Sequence, residues 1–182
     1  MNSGGARCAL RAETASVHKR LDALFSRFNL SERCGYAQFL RAQAGAFLTV
    51  ETALDQAGAG EVLEDWNARK RGHALSEDMR ALAIEPNEIR APAFQTEAEI
   101  LGGVYVLEGS RLGGAVLLKR VSMDMPTSFL KHVSPSSWRG FVDVLDEKLR
   151  SPVALKEAVC AATSAFQTFE TSAIRILRAH TS

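Results

Sequence analysis

The sequence predicts an all-α fold in a single domain, and three observations carry that reading. Apolar residues recur at spacings of three and four through almost the whole chain. No segment alternates convincingly with period two, and the proline and glycine breaks leave no room for a series of hairpins. Capping and breaking signals fall where helices of ordinary length should begin and end. At 182 residues the chain can bury one sizeable core and is short for two. Six to eight helices across 1–182 are expected, with no internal repeat and no low-complexity tract.

Residues 1 to about 7 are expected to fray, having no apolar anchor. Leu10, Thr14, Val17, Leu21, Leu24 and Phe28 then draw one stripe along a first helix. Tyr36, Phe39, Leu40, Phe47, Val50 and Leu54 do the same on a second, which should end near Gly58-Ala59-Gly60. A shorter helix is expected from about Ser76 to before Pro86. Thr96 and Glu99 have the spacing of a capping box and should start a long helix, with Asp124-Met125-Pro126 breaking the chain after it. Ser134-Pro135 and Ser151-Pro152 each set a capping serine before a proline. The helices they open would carry Trp138, Phe141, Val142 and Leu145, and then Val159, Phe166, Phe169 and Ile176.

Composition narrows the function. The net charge of +1, from 22 basic and 21 acidic residues, argues against a nucleic-acid-binding surface. Arg69-Lys70-Arg71 is the densest basic run and reads as a solvated loop. Cys8, Cys34 and Cys160 are odd in number and form no CxxC pair, which fits a reducing compartment and points to the cytoplasm. No apolar stretch is read as approaching bilayer-spanning length, and the N-terminus has no signal-peptide core, so no membrane partner is expected.

The strongest local signal is the run from Leu101 to Leu118, where five glycines interrupt an otherwise helical apolar pattern. Each interior glycine costs a helix roughly 1 kcal/mol relative to alanine. A chain keeps that cost where something large and flat approaches the backbone, or where the helix bends. Gly109 and Gly113 lie four apart, as do Ser110 and Gly114, so small residues form a smooth strip on which a porphyrin face could lie. Close helix packing is the alternative. The run matches neither GxSxG, nor a Walker loop, nor GxGxxG, and the chain has no HExxH and no pair of ExxH elements.

His18 stands at the border of the first apolar stripe, with Arg11 seven residues before it and Asp22 four after. A neutral imidazole is the usual proximal ligand of haem iron. A carboxylate on its other ring nitrogen would fix the tautomer and raise its basicity. Arg11, roughly 10 Å away along the helix, could reach a haem propionate. A border histidine without a ligand role is the alternative, and Trp66, Trp138 and the phenylalanines read as core.

The combination resembles a known family. Leu10-Arg11-Ala12-Glu13-Thr14-Ala15-Ser16-Val17-His18, followed by Leu21-Asp22, resembles the first helix of haem oxygenases. Tyr105-Val106-Leu107-Glu108-Gly109-Ser110-Arg111-Leu112-Gly113-Gly114 is similar to their distal helix in its bacterial form, found in enzymes that supply biliverdin to bacterial phytochromes or release iron from haem. Gly35-Tyr36 through Phe47 and Ala165-Phe166 through Phe169 also fall in the expected order, so the resemblance spans nearly the whole chain.

It implies a helical fold that holds haem b between a proximal N-terminal helix and a glycine-rich distal helix, with haem as substrate and cofactor. By that resemblance His18 is the metal ligand and Asp22 its orienting neighbour. Arg11 and Arg139 would meet the propionates. Thr14 and Tyr105 would touch the haem, Phe166 and Phe169 would wall its pocket, and Gly109, Ser110, Gly113 and Gly114 would form the distal surface. The implied reaction opens haem to biliverdin, carbon monoxide and ferrous iron. It uses dioxygen and an external donor such as ferredoxin or an NADPH-dependent reductase, in a monomer whose product a bacteriophytochrome would receive. One departure matters: mammalian members carry a distal aspartate where this chain has Ser110. A haem-binding or haem-sensing protein without turnover is therefore the competing reading, and a helical module without cofactor is a second.

Overall fold

The computed structural model describes residues 5–132 and 136–179, which form ten helices and no strand among them. Three of the ten are single turns, and the remaining seven agree with the number expected.

α1 (Ala6–Glu13) and α2 (Ala15–Phe25) together make the first predicted helix, interrupted at Thr14. There the side-chain hydroxyl donates to the Leu10 carbonyl at 2.7 Å, competing with the main chain for the same acceptor. Phe28, expected on this helix, lies in the turn beyond it and is still buried. Fraying was expected through residue 7, but Ala6 and Arg7 are already helical. The Ala6 amide donates to Asp146 Oδ1 at 2.6 Å, so a carboxylate from another helix caps α1. Residues 1–4 lie outside the described residues.

α3 (Arg33–Gln56) runs as expected and stops at Gly58, whose φ of 87° is one that glycine adopts without a Cβ clash. The single turns α4 (Ala59–Val62) and α5 (Trp66–Arg69) follow, and their brevity hid them from periodicity. α6 (Gly72–Ala81) starts four residues before the expected Ser76. α7 (Glu97–Leu118) opens on the predicted capping box, with the Thr96 hydroxyl accepting from the Glu99 amide and the Glu99 carboxylate accepting from the Thr96 amide. It continues unbroken through all five glycines. After the single turn α8 (Ser128–Lys131) comes α9 (Trp138–Lys148), capped by Ser137, whose Oγ accepts from the Gly140 amide at 2.8 Å. The predicted start at Ser134-Pro135 lies outside the described residues. α10 (Pro152–Arg178) begins as expected, with Ser151 Oγ accepting from the Ala154 amide.

α10 is the spine. It packs on α7, α3 and α2, and also receives α1. The core centres on Tyr36, Phe39, Phe47, Leu101, Phe141 and Leu145, all nearly or wholly out of solvent. Each such side chain contributes about 1.5–3 kcal/mol by leaving water. One sequence expectation needs correction here. α7 is, by length and composition, apolar enough to cross a membrane, which was not anticipated. Half of that stretch is buried against the rest of the fold, so its apolarity is that of a core helix.

Candidate functional site

The walls of the candidate site begin where α1 and α2 meet α7. The hydroxyl of Thr14, at the interruption between α1 and α2, interacts with the phenol of Tyr105 on α7, whose pKa is raised by burial. One helical turn from that contact stands His18 on α2, and one turn from it stands Gly109 on α7. Beneath both helices runs α10.

His18 packs T-shaped against the ring of Phe166 of α10, with centroids 5.6 Å apart and planes at 79°. Its Nδ1 lies 3.0 Å from Asp22 Oδ2, one turn later, where the carboxylate can accept a hydrogen bond from Nδ1–H and so leave Nε2 as the unprotonated nitrogen of the neutral ring. The two side chains are 56% and 68% exposed. An ion pair so open to water adds little to stability, so the arrangement is not explained by the needs of the fold.

The five glycines divide into two groups. A Cβ on Gly102 would run into the Ala158 carbonyl, and one on Gly103 would stand 2.8 Å from the Phe94 ring. These two exist so that α10 and the Phe94 segment can approach, which is the packing alternative realised. Gly109 and Gly113 are the opposite case. Both are exposed, and a Cβ on either would meet nothing within 4 Å. Leu112 and Val116 share this side of α7 and are 53% and 65% exposed, so the strip is apolar and open. Gly114 departs from expectation: it is buried, and its Cβ would lie 3.3 Å from the Leu130 carbonyl, so it seats α8 and does not extend the open strip.

Ser110 lies at the edge of the strip, and its partner was not foreseen. Arg71 Nη2 donates to Ser110 Oγ at 2.6 Å and to the Leu107 carbonyl at 3.0 Å, while the Ser110 hydroxyl donates to that same carbonyl at 2.7 Å. The basic run read as a solvated loop is therefore largely interior: Arg69 and Arg71 are 5% and 2% exposed, and only Lys70 stays near solvent. Arg69 bonds Glu108 at 3.0 Å and Asp65 at 2.7 Å, and Arg111 bonds Glu108 at 2.7 Å. A signal did exist. Glu108 is a lone acid in an apolar helical run and asks for a buried cation.

Arg11 is exposed on α1, and with Arg7 it acts electrostatically on Tyr105. Trp138 at the start of α9 stands 6.3 Å from Tyr105, centroid to centroid, so it borders the site as well as the core. Arg139 beside it is exposed. Phe169, expected as a pocket wall, is 3% exposed within the main core, because its position on α10 faces inward. Phe166 alone of the pair touches a candidate ligand.

Comparison with known proteins gives the family and the fold. The sequence model of the family described as Heme oxygenase matches residues 6–173. A heme oxygenase of Xanthomonas campestris pv. campestris (strain 8004) is 32% identical over 145 residues, covering 75% of this chain and 87% of that one. Among solved structures, the NO- and CO-bound heme oxygenase of Neisseria meningitidis superposes with a TM-score of 0.78 at 24% identity, over 94% of this chain and 92% of that one. The heme oxygenase of Leptospira interrogans superposes with a TM-score of 0.71 at 18% identity, over 93% and 98%.

Proposed function

This chain belongs to the haem oxygenase family, and from that premise we propose that it opens haem to biliverdin, carbon monoxide and ferrous iron, holding the haem between α2 and α7. The observation that carries the reading is His18, with Nδ1 turned to Asp22, set near a helix face that two glycines leave open. The residues fit a flat iron macrocycle. Gly109 and Gly113 leave room for a plane at backbone distance, Leu112 and Val116 flank it with apolar surface, and one imidazole nitrogen remains for the metal.

Bound there, haem supplies the iron that takes up oxygen and the ring that is oxidised. The remaining work falls to the chain. Asp22 can accept a hydrogen bond from Nδ1–H and so raise the donor strength of Nε2, while the T-shaped contact with Phe166 restrains the imidazole plane. A neutral histidine donates less electron density than a thiolate, which suits attack on the ring over O–O cleavage. Leu112 and Val116, exposed beside the open strip of α7, would be covered by a bound haem and would offer it an apolar surface that disfavours water. Arg11 and Arg139 offer exposed guanidinium groups for the two propionates, and Tyr105 and Thr14 close one edge of the site. By holding the propionates, Arg11 and Arg139 would orient the haem within the site.

The electrons come from a separate redox partner, such as ferredoxin or an NADPH-dependent reductase, and the biliverdin passes to a receiver such as a bacteriophytochrome. A reducing cytoplasm fits the three exposed free thiols of Cys8, Cys34 and Cys160. The test is optical. One equivalent of hemin should give a sharp Soret band, and ascorbate in air with catalase present should convert it to the broad red absorption of a bilin. A Soret band that forms and persists under those conditions would mark a haem carrier without turnover.

A further inference from the structure

Behind the open strip of α7 lies a charge that the reading above does not use. The Arg71 guanidinium rests against two rings that also touch each other, 4.9 Å from the Phe47 centroid and 4.7 Å from that of Phe129, with the centroids 5.1 Å apart. Its Nη2 donates to both Leu107 O and Ser110 Oγ, and the Ser110 hydroxyl donates to Leu107 O. A serine hydroxyl has one proton and two acceptor lone pairs. Here the proton and one lone pair are taken. What Ser110 offers the site is a single lone pair, held beside a fixed cation.

We propose that Arg71 is a positioning residue for whatever binds on the α7 side of the haem: through Ser110 it withholds the hydroxyl proton and presents a positive field that favours anionic ligands. The proposal rests on the haem-binding reading above.

The groups around Arg71 leave its charge in place. Burial lowers its pKa to about 10, so it is protonated at neutral pH. Glu108 from α7 faces it, but that carboxylate is already engaged by Arg69 and Arg111, and Arg111 adds a second cation. Glu51 from α3 accepts the main-chain amides of Arg71 and Gly72, not the guanidinium, and its own pKa is raised by burial. His132, after α8, has its pKa lowered by burial and by His73, Arg71 and Arg111, so it adds no charge at neutral pH. Among the described residues no carboxylate is bonded to the Arg71 guanidinium, whose Nη2 donates to Leu107 O and Ser110 Oγ in the turn that carries Ser110.

Azide and carbon monoxide separate charge from shape, because one is an anion and the other is neutral. The wild type, Arg71→Met, Arg71→Lys and Ser110→Ala are each loaded with hemin and the Soret band is recorded; azide is then titrated into the ferric protein, and carbon monoxide into the same protein reduced with dithionite. Arg71→Met should bind azide about tenfold more weakly, the scale of one nearby charge lost, with carbon monoxide affinity unchanged. Arg71→Lys keeps the charge and should keep most of the azide affinity. Ser110→Ala, a mild change for the fold, should bind azide as well as the wild type does, since no proton is lost. Unchanged azide affinity in Arg71→Met, an equal loss of both ligands, or weakened azide binding in Ser110→Ala would each overturn the proposal. No Soret band in the wild type would instead remove the haem-binding reading itself.

Discussion

Nδ1 of His18 lies 3.0 Å from Oδ2 of Asp22, one turn further along α2, while the same imidazole makes a T-shaped contact with Phe166 from α10. The ring is thus held at one nitrogen and by one ring contact, with more than half of the side chain open to solvent. Such an arrangement orients a ligand and contributes little to folding. His18→Ala should therefore melt like the wild type yet lose turnover of hemin, with an altered Soret band. Asp22→Asn should keep the ligand and weaken it, costing about 10- to 100-fold in activity or haem affinity, the usual effect of removing such a neighbour. A His18→Ala variant that opens haem at the wild-type rate without added imidazole would remove the assignment.

The two groups of glycines make opposite predictions. At Gly109 and Gly113 nothing stands within 4 Å of an added Cβ, so Gly109→Ala and Gly113→Ala should stabilise the ligand-free protein by up to about 1 kcal/mol each through helix propensity. At Gly102 the Ala158 carbonyl blocks the Cβ, and alanine there should destabilise by about 1–3 kcal/mol despite the same propensity gain. Gly113→Leu should keep the helical circular dichroism and lose most haem affinity. Thermal melts and hemin titrations of these variants decide the matter, and a Gly113→Leu protein that binds haem normally would displace the haem from α7.

Arg69 and Glu108 form an ion pair in which each side chain is only 3% exposed. Removing one partner of a buried pair typically costs about 3–5 kcal/mol, an upper bound here because Glu108 would keep Arg111 at 2.7 Å. Arg69→Met alone should thus unfold the protein at a much lower urea concentration. Because Arg111 shares the same carboxylate oxygen, Arg111→Met should cost less. Equal effects from the two variants would mean that Arg69 is not the principal counterion.

Burial raises the pKa of Glu51 and also that of Asp78, which caps the Ser128 and Phe129 amides. For a carboxylate raised on folding, the native state holds its proton longer than the unfolded chain does. The stability from these two groups is therefore complete below their ordinary values of 4.5 and 3.8, and falls as pH rises through the shifted ones. Denaturation midpoints measured from pH 4 upward should show this loss beneath the usual trend. Glu51→Gln should flatten it, and an unchanged slope in that variant would assign the effect elsewhere.

The fold was legible wherever a helix was long and its start carried a cap, as at Thr96 and Ser151. The candidate ligand was legible for the same reason that its geometry works: positions 18 and 22 sit one turn apart on any helix. What stayed hidden depends on partners far along the chain. Gly102 and Gly113 look alike in a periodic pattern, and only the arrival of Ala158 on one side and of nothing on the other separates them. Arg71 read as solvated because its box is built from Phe47 and Phe129, each more than twenty residues away. Gly114 was placed on the open strip by the resemblance, and one position beyond Gly113 around the helix turns it to the interior, against Leu130.

α2 and α7 are joined chiefly through α10, with Thr14 and Tyr105 touching at one end. Each wall of the site is thus pinned to a shared floor and only lightly to the other wall. A molecule gripping both at once acts as a cross-strut, and by mass action its binding energy is added to the stability of the whole fold. The melting temperature should climb with free haem and fall back as haem is consumed. The protein would then be most rigid when loaded and looser once its product must leave, so that the supply of its substrate also governs how long each molecule survives in a cell that removes unfolded chains.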